Sequence, residues 1–458
     1  MNHPAAVLLG ALLISFVFPL PLHAADESGN WPSFRGPGAA GIAKANLPDT
    51  WDVGRGQNIK WQASIEGLGH GGPVVWGGRI FVVTAVNGEP QPVKTGVFGD
   101  IRPVEDEKPF EWKLLCVNLD SGAIVWKRTA ASGPAKIKRH PKSSHANCTA
   151  ATDGKHVVAF FGSEGLYCFD MDGKPLWQKD LGVLDAGFYM VPEAQWEFGS
   201  SPVIEADRVI VQCDTQKNSF VASFSLEDGR ELWRTARDEV PTWSTPAVIH
   251  PKEGPAQVVC NGHKHAAGYD LRTGKEIWTL AMPGDIPIPT PIYADDLVFF
   301  TSAHGGPSGI FAVRSSATGN ITLPQGKSES RDIAWSTNRG GSYIPTPIVI
   351  GDLLYCCNWT GVLTCFDAKS GQEVYHTRLP GSEAGFTASP VATAQRLYLV
   401  SEEGLVHVIQ PGRDFHLVAS NALGTKCLAT PAIARDTLLF RTESGLIEVA
   451  ASRTLGPR

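Results

Sequence analysis

The chain has 458 residues, of which 43% are hydrophobic and 19% are charged, and its formal net charge is −6. This hydrophobic fraction is enough for a large core, and the small negative charge gives no overall positive field to hold nucleic acid or an anionic membrane surface. The 48 glycines and 33 prolines are unfavourable for a helical protein and favour many short strands joined by turns.

Residues 1–24 have the pattern of an export signal. An apolar run from residue 5 to residue 18 is too short to span a bilayer comfortably, Pro19 and Pro21 break it, and Ala24 offers a small residue for cleavage. Only the amino terminus and His3 supply positive charge before the run, so a retained membrane anchor is the alternative. No later segment has the character of a membrane span, and we expect a soluble protein in the periplasm or outside the cell.

Two short phrases recur along the chain. The first is a glycine followed four positions later by an aromatic residue, with an Asn or Asp opening a turn just before it. It occurs at Gly122 and Trp126, Gly173 and Trp177, Gly229 and Trp233, Gly274 and Trp278, and Gly371 and Tyr375. The second phrase is a Ser, Thr or Gly before a proline, followed by alternating apolar residues. Its prolines are Pro73, Pro202, Pro246, Pro291, Pro347, Pro390 and Pro431, with a degenerate copy at Thr149 and Ala150.

The second phrase divides the chain into eight units. Most units begin 41 to 56 residues after the previous one, and the first gap of 77 residues contains a long insertion. Within each unit, turn residues and apolar segments predict four short antiparallel strands, which is the pattern of a propeller blade. We therefore predict an all-β fold, an eight-bladed β-propeller over residues 58–458. Residues 25–57 are expected to form an N-terminal segment that packs on the propeller.

The last unit has room for only three strands. Residues 58–62 have the character of the missing outer strand, so we predict that they complete the eighth blade and close the ring. Because a blade cannot bury both of its faces alone, an aromatic side chain on each outer strand is expected to fill the gap between neighbouring blades. This structural role is expected for Trp61, Trp126, Trp177, Trp233, Trp278, Trp335 and Tyr375.

Two insertions interrupt the repeat. Residues 87–112 form a polar segment of the first unit with an acidic cluster at residues 105–107, and residues 132–144 are basic. Long loops on a rigid scaffold often bind a ligand or a partner. The opposite charges of the two insertions indicate contact with each other or with a partner. The basic run has no interleaved aromatic residues, which counts against nucleic acid.

The nine cysteines are an odd number, so they cannot all pair within the chain. Cys116, Cys168 and Cys365 occupy similar places on apolar segments and are expected to be buried as small hydrophobic residues. Cys356 and Cys357 are adjacent, but strand alternation points their side chains to opposite faces, which disfavours a vicinal disulfide. The spacing of Cys and His matches neither haem attachment nor zinc, so no metal site is predicted.

The segment from Asp270 through Gly274, Lys275 and Glu276 to Trp278 resembles the pyrroloquinoline-quinone (PQQ) repeat. Proteins built from that repeat include eight-bladed quinoprotein dehydrogenases and the lipoprotein of the outer-membrane assembly machinery. Residues 31–37 and 47–51 resemble more closely a group of exported bacterial PQQ-like propellers. The resemblance covers nearly the whole mature chain and implies the fold, whereas the same blades serve both enzymes and scaffolds.

Propellers usually act at one end of the central channel, on the loops that enter each innermost strand. Here those loops carry aromatic, cationic, imidazole and carboxylate groups, which suit a pocket for a polar small molecule or a peptide. The candidate ligand-binding residues are His70, His145, Asn147, Trp196, Glu197, Trp243, Arg339, Tyr343, Thr387 and Lys426. The sequence has no nucleophile elbow, phosphate-binding loop or metal-binding His pair, so no catalytic residue is predicted.

The resemblance to quinoprotein dehydrogenases implies PQQ, a calcium ion bound by Glu and Asn, a catalytic Asp, a stacking Trp and often a vicinal disulfide. The residues available for these roles are Asn147, Asp185, Glu197, Trp243, Cys356 and Cys357. Their positions in the blades do not reproduce the enzyme motifs. The favoured hypothesis is an exported, monomeric, non-catalytic propeller that binds a protein or a small ligand at the channel mouth without a cofactor. The alternatives are a PQQ- and calcium-dependent dehydrogenase and a carbohydrate-binding or carbohydrate-processing propeller.

Overall fold

The chain folds into an eight-bladed β-propeller, as the sequence predicted. The computed structural model describes residues 29–89, 91–96, 102–304, 307–381, 383 and 385–451. The predicted export signal lies outside these residues. Within the described part, none of the helices could cross a membrane, given its length and hydropathy.

Each blade is an antiparallel sheet whose strands we name inner, second, third and outer. Blade 1 contains Val74–Trp76, Arg79–Val86, Phe110–Asn118 and Ile124–Gly133. Blade 2 contains Ala151–Thr152, His156–Phe160, Leu166–Asp170 and Pro175–Lys179. Blade 3 contains Val203–Glu205, Arg208–Cys213, Phe220–Ser225 and Glu231–Ala236. Blade 4 contains Ala247–Ile249, Gln257–Cys260, His265–Asp270 and Glu276–Ala281.

The second half of the ring repeats this order. Blade 5 contains Ile292–Ala294, Leu297–Ser302, Gly309–Arg314 and Ile333–Thr337. Blade 6 contains Ile348–Ile350, Leu353–Cys357, Val362–Asp367 and Glu373–Arg378. Blade 7 contains Val391–Ala392, Leu397–Val400, Leu405–Gln410 and His416–Ala422. Blade 8 contains Ala432–Ala434, Thr437–Arg441, Gly445–Ala450 and the N-terminal strand Ile59–Ser64. Outside the blades lie the hairpin of Gly187–Phe188 with Val191–Gln195 and two 3-10 turns, Pro37–Ala39 and Gly162–Glu164.

Strands from the two ends of the chain meet in blade 8. Ile59–Ser64 pairs antiparallel with Gly445–Ala450, and Gln62 lies opposite Ile447 in the register. The outer edge of the last blade is therefore supplied from the beginning of the chain, which ties both ends of the propeller into one sheet.

The recurrent Asn or Asp builds the turn between the third and outer strands. In blade 4, Asp270 Oδ1 accepts the N–H of Thr273 at 2.7 Å and that of Arg272 at 3.1 Å. Gly274 then takes a φ of +70°, a conformation that costs glycine little. The indole of Trp233 from blade 3 covers this glycine so closely that a Cβ would lie 2.4 Å from the ring. The turn therefore requires glycine for two independent reasons.

Each outer-strand tryptophan of this type packs on the turn of the next blade. The indole N–H of Trp126 donates to the Met171 carbonyl at 3.1 Å, and that of Trp177 donates to the Leu226 carbonyl at 2.8 Å. Equivalent bonds at 2.9 to 3.0 Å are made by Trp61, Trp233 and Trp335. The aromatic ring fills the space between blades, and the N–H partner fixes its orientation.

Blades 4 and 6 depart from this geometry. The indole N–H of Trp278 donates to Gln257 of its own blade at 2.9 Å, while its ring centre lies 5.8 Å from that of Phe300 in blade 5. An insertion in blade 5 explains the change, because Gly319–Asn320 joins blade 4 as a parallel fifth strand beside Trp278. Tyr375 of blade 6 faces Phe415 at 6.1 Å. Both aromatic side chains still lie between neighbouring blades.

Blade 7 carries Ala419 where the other outer strands carry an aromatic residue. Trp51 of the N-terminal segment packs into the hydrophobic cluster shared by blades 7 and 8, with its ring centre 6.0 Å from that of Phe440. The Trp51 side chain is 5% exposed, and its backbone N–H donates to Asn421 Oδ1 at 3.1 Å. The aromatic residue that blade 7 lacks is thus supplied from outside the repeat.

A ring of hydroxyl groups joins neighbouring blades around the channel. Except at Thr290, the Ser or Thr before an inner strand accepts a hydrogen bond from the backbone N–H of the matching residue in the preceding blade. Six junctions make this contact, with N···O distances of 2.8 to 3.1 Å. The hydroxyl ring consists of Thr149, Ser201, Thr245, Thr290, Thr346, Ser389 and Thr430. Blade 1 has Gly72 at this position, where a Cβ would lie 2.6 Å from the Thr430 carbonyl oxygen.

The N-terminal segment closes the channel at the end that carries the turns between inner and second strands. Trp31 exchanges two backbone hydrogen bonds of 2.8 Å with Val75 of the first inner strand. Phe34 reaches into the channel as far as the hydroxyl ring. The segment therefore covers this end of the channel. We call the opposite end, where the loops between blades lie, the mouth.

Arg35 anchors this closure from inside the protein. Its buried guanidinium donates to the carbonyl oxygens of Thr346, Pro347 and Pro390, in blades 6 and 7, at 2.9 to 3.3 Å. Burial lowers the pKa of Arg35 to about 9, so the group stays protonated at neutral pH. Carbonyl oxygens offset part of the cost of burying its charge, and they tie the segment to the far side of the ring.

We expect Trp51→Ala to lower the free energy of unfolding by about 3–5 kcal/mol, because it leaves a cavity between blades 7 and 8. Urea unfolding followed by tryptophan fluorescence and circular dichroism would measure this. The control is Val125→Ala on the outer strand of blade 1, where the side chain is 52% exposed and the change should stay within about 0.5 kcal/mol. Equal midpoints for the two variants would contradict the assigned role of Trp51.

Candidate functional site

The mouth of the channel opens into a cavity of about 540 Å³. Its base is formed by Phe34 and the hydroxyl ring, and its walls come from the loops between blades and from loops between second and third strands. We call it the mouth cavity. Six of the ten predicted binding residues line it: His70, Asn147, Trp196, Trp243, Tyr343 and Thr387. The volume falls within the range of roughly 300–1,000 Å³ that is usual for small-ligand pockets.

One wall is a stack of aromatic side chains from the loops around blade 3. The ring centres of Trp196 and Trp243 are 5.2 Å apart, and Phe188 of the hairpin stacks on Trp196 at 5.3 Å with an interplanar angle of 8°. The Trp243 indole N–H donates to the Glu197 carbonyl at 2.8 Å. Gly199 leaves room beneath, since a Cβ there would lie 3.3 Å from the Trp243 ring. The wall is therefore held in place without a ligand.

A second wall lies three blades further around the ring. Tyr343 precedes the inner strand of blade 6, and its ring lies 4.8 Å from His304 and 5.8 Å from Trp359. His304 Nδ1 is 2.6 Å from Asp285 Oδ1, which orients the imidazole. Burial raises the pKa of the Tyr343 phenol, so the phenol stays neutral at physiological pH. The cavity thus has aromatic surfaces on two sides.

The remaining sector carries imidazoles and one lysine. Lys142 Nζ is 2.6 Å from Glu402 Oε1, and Thr387 Oγ1 donates to the same oxygen at 2.6 Å. Lys142 therefore already forms an ion pair with Glu402 in the absence of a ligand. Burial lowers the pKa of His70 to about 3, and the charges of Arg441 and Arg139 lower it further, so the imidazole is neutral. Its Nε2 is buried without a hydrogen-bond partner.

Two of the predicted residues, His145 and Glu197, lie behind the wall. His145 Nδ1 bonds to Glu197 Oε2, and His145 Nε2 is 3.2 Å from Asp106 Oδ2. Asp106 also makes a two-point ion pair with Arg139, at 3.0 and 3.2 Å. Burial alone would lower the pKa of His145, but the hydrogen bonds to Asp106 and Glu197 outweigh it and raise the pKa to about 9. The chain Arg139, Asp106, His145, Glu197 is therefore a buried row of alternating charges.

Glu197 has an unusual backbone conformation, and both of its carboxylate oxygens and its carbonyl oxygen accept hydrogen bonds. Its φ is +64°, which is uncommon for a residue with a side chain, and it is 3% exposed. Oε1 accepts the N–H of Phe198 at 2.9 Å, Oε2 meets His145, and the carbonyl holds Trp243. Glu197 thus shapes the aromatic wall and does not reach into the cavity.

The other two predicted residues lie away from the cavity. The Arg339 side chain is exposed, and Lys426 Nζ donates to the Val93 carbonyl at 2.8 Å. Neither residue lines the mouth cavity. Sequence reasoning placed both on loops of the correct end of the channel, but a loop position does not determine where a long cationic side chain points.

The two insertions interlock at the edge of the mouth. Besides the pair of Arg139 with Asp106, the Val104 N–H donates to the Arg139 carbonyl at 2.9 Å, and the Lys94 N–H donates to the Pro141 carbonyl at 3.2 Å. The sequence placed residues 87–112 and 132–144 in insertions, but residues 110–112 and 132–133 belong to strands of blade 1. The loops are shorter than predicted by these residues. The basic insertion also places three unpredicted residues, His140, Lys142 and Ser143, in the cavity lining.

Sequence analysis missed one class of lining residues. His304 and Trp359 come from loops between second and third strands. The sequence-based prediction placed binding residues only on the loops before inner strands. Strand order alone would have identified them, because both kinds of loop emerge at the same end of a four-stranded blade. Phe34 was missed because it belongs to no repeat.

The described residues contain no group of three or more His, Cys, Asp and Glu side chains that could hold a metal ion. All nine cysteines are buried with free thiols, including Cys356 and Cys357 in the second strand of blade 6. The residues named for a quinone and calcium do not converge, and only Asn147 and Trp243 of that set line the cavity.

Comparison with known proteins relates this architecture to others. The family model described as outer membrane protein assembly factor BamB matches residues 113–376 and 257–412. BamB from Moraxella catarrhalis is similar with a TM-score of 0.53 and 13% identity, over 82% of this chain and 100% of that chain. No curated protein shows significant sequence similarity.

Two solved dehydrogenases have the same fold. The quinohemoprotein alcohol dehydrogenase ADHIIG from Pseudomonas putida HK5 has a TM-score of 0.60 and 11% identity, over 94% of this chain and 82% of that chain. A europium-containing methanol dehydrogenase has a TM-score of 0.51 and 11% identity, over 92% of this chain and 91% of that chain. At such identities the similarity shows the fold and not the activity.

The raised pKa of His145 predicts a pH-dependent stability. Because the folded protein binds this proton more tightly than the unfolded chain, where the pKa is near its ordinary 6.5, the stabilisation is complete below about pH 6.5. It is lost as the pH rises towards 9, and the expected loss is roughly a few kcal/mol. Urea unfolding between pH 6 and pH 9 would measure it.

His145→Gln should be less stable than the wild type at pH 6 and should lose less stability towards pH 9. The matched control is His376→Gln, because the His376 side chain is 68% exposed and should leave the wild-type slope unchanged. If wild type and His145→Gln had the same slope above pH 6.5, the charged state of His145 would be refuted.

Proposed function

We propose a function from the premise that this chain belongs to the outer membrane protein assembly factor BamB family. The protein is an exported propeller that binds a small ligand in the mouth cavity and catalyses no reaction. The fold is shared by an assembly factor and by dehydrogenases. The choice between binding and catalysis therefore depends on the chemistry of the cavity.

The observation that carries the proposal is a preformed cavity at the channel mouth, with Phe34 and the hydroxyl ring among its lining residues. The N-terminal segment covers the other end of the channel, where Phe34 lines the cavity and Arg35 is held by the carbonyls of Pro347 and Pro390. The aromatic wall is fixed by the Trp243 bond to Glu197 and by the stacking of Trp196 on Phe188. A site with aromatic walls held in this way binds a ligand with little loss of side-chain entropy.

The carboxylates near the cavity are already engaged. Glu402 accepts bonds from Lys142, Thr387 and the Gly96 N–H, while Glu197 is bound to His145. Among the described residues that line the cavity, none is Asp or Glu. A pair of carboxylates facing a bound sugar, as glycoside hydrolysis requires, is therefore not offered here.

The same lining does not fit PQQ with calcium. Calcium prefers carboxylate and carbonyl oxygens, and Asn147 uses its side-chain oxygen on the Ser144 N–H and hydroxyl at 3.0 and 2.9 Å. PQQ carries several carboxylates, whereas Lys142, the one lysine among the described lining residues, is paired with Glu402. These observations count against the dehydrogenase hypothesis, and no reaction step is assigned through such a cofactor.

A protein partner at the rim is the second candidate, and one feature favours it. The hairpin beside the cavity exposes Met190 and Val191, and the nearby Val183 is also exposed, at 66%, 38% and 61%. Apolar side chains grouped in this way are unusual on a monomer surface and are typical of contact sites. A segment of a partner could then cover the hairpin while the cavity stays accessible.

The proposal predicts binding without turnover. The purified protein would be mixed with a panel of neutral saccharides, uronic acids, aromatic acids and PQQ with and without calcium. We expect at least one class to raise the thermal unfolding midpoint. Trp243→Ala should abolish the shift, and Arg339→Ala should keep it because Arg339 lies outside the cavity.

The same samples would be assayed for dye-linked oxidation of alcohols and aldoses. Turnover with PQQ and calcium would replace the proposal with the dehydrogenase hypothesis. A panel that produces no shift dependent on Trp243 would refute the mouth cavity as a binding site.

A further inference from the structure

We infer that the ligand of the mouth cavity is a neutral saccharide of about one to three pyranose units. The inference rests on the proposed function, since it names the ligand class of that same site. It follows from three properties of the lining: aromatic surfaces on two sides, a base rich in neutral hydroxyl groups, and ionised neighbours that are already paired.

The aromatic surfaces suit the apolar faces of sugar rings. Trp243 lines the cavity, and its indole N–H donates to the Glu197 carbonyl. Its ring lies close to Gly199, where the absence of a side chain leaves room for it. Tyr343 and Trp359 form a second surface three blades away around the ring. A pyranose presents axial C–H groups on one face and hydroxyls around its edge, so stacking on an aromatic ring leaves the hydroxyls free for hydrogen bonds.

The base of the cavity suits ligand hydroxyls. Each hydroxyl of the ring that accepts a backbone N–H keeps its own hydrogen available to donate. Thr290 Oγ1, Trp196 Nε1 and His70 Nε2 are buried in the lining without a hydrogen-bond partner. Unpaired buried polar atoms are costly, and ligand hydroxyls, which both donate and accept, would satisfy all three kinds of group.

The charges around the cavity favour a neutral ligand over an acid. Lys142 is paired with Glu402, Arg139 with Asp106, and protonated His145 with Glu197. An acidic ligand would have to compete for Lys142 with a carboxylate that is already in place. Arg441 is buried with two nitrogens that lack a partner, but it does not line the cavity. A preference for acidic sugars would therefore indicate that Arg441 binds the ligand, and it would contradict the inference.

The test is calorimetric titration with neutral saccharides of one to three units, their uronic acid counterparts, aromatic acids and PQQ. We expect saturable binding of at least one neutral oligosaccharide, with uronic acids weaker. Trp243→Ala should weaken that binding by about tenfold or more, as expected for an aromatic anchor. Trp359→Ala provides a second cavity variant if Trp243→Ala does not fold.

Arg339→Ala, at the same end of the propeller but outside the lining, should bind like the wild type. Binding only of uronic acids, aromatic acids or PQQ, with the same dependence on Trp243 or Trp359, would overturn the saccharide inference and leave the proposed function intact. Absence of cavity-dependent binding for every class would overturn both. Neutral saccharide binding that neither cavity variant weakens would also overturn the inference, because the sugar would then lie elsewhere.

Discussion

The rest of the structure depends on the hydrogen bond between a backbone N–H of one blade and the Ser or Thr hydroxyl of the next. Repeated at six junctions, it sets the distance between inner strands and thereby the width of the channel. A hydroxyl accepts this bond and still has a hydrogen to donate, which an apolar residue could not do. The same atoms therefore hold the ring together and give the cavity its polar base. At the closing junction, Gly72 replaces the hydroxyl because the Thr430 carbonyl comes too close for a side chain.

The fold could be predicted from the sequence because its information is repeated. The turn glycine and the aromatic residue four positions later are two halves of one contact, since Trp126 packs on Gly173 and Trp177 on Gly229. The departures of blades 4 and 7 from the repeat could not be predicted, because the residues that cause them lie outside the repeated pattern. Trp278 changes partner because an insertion in the next blade removes the usual turn. Ala419 and Trp51 are 368 positions apart, and no local pattern connects them.

The candidate site could be predicted only in outline. The loops before inner strands were expected to contribute to the site, and Trp196, Trp243 and Tyr343 of those loops line the cavity. A sequence gives the loop on which a residue lies but not the direction of its side chain. His145 and Glu197 turn inward because each satisfies the other, whereas Arg339 stays in solvent. Phe34 lies in the cavity because Arg35 finds its carbonyl partners on the far side of the ring, which only the closed propeller brings together.

The buried row of charges connects the first-blade insertions to the aromatic wall. Burying Arg139, Asp106, His145 and Glu197 costs desolvation energy, and the alternation of signs offsets much of it because every charge has an opposite neighbour. The row ends at Glu197, whose left-handed backbone presents the carbonyl that orients Trp243. Asp106 belongs to one insertion and Arg139 to the other. The two insertions therefore support the indole that lines the cavity, although neither Asp106 nor Arg139 lines it. A propeller that kept its blades but lost these insertions would keep the fold and lose the support of this wall. The aromatic wall of the cavity is therefore specified by non-repeating parts of the chain, while the repeats supply the frame on which those parts meet.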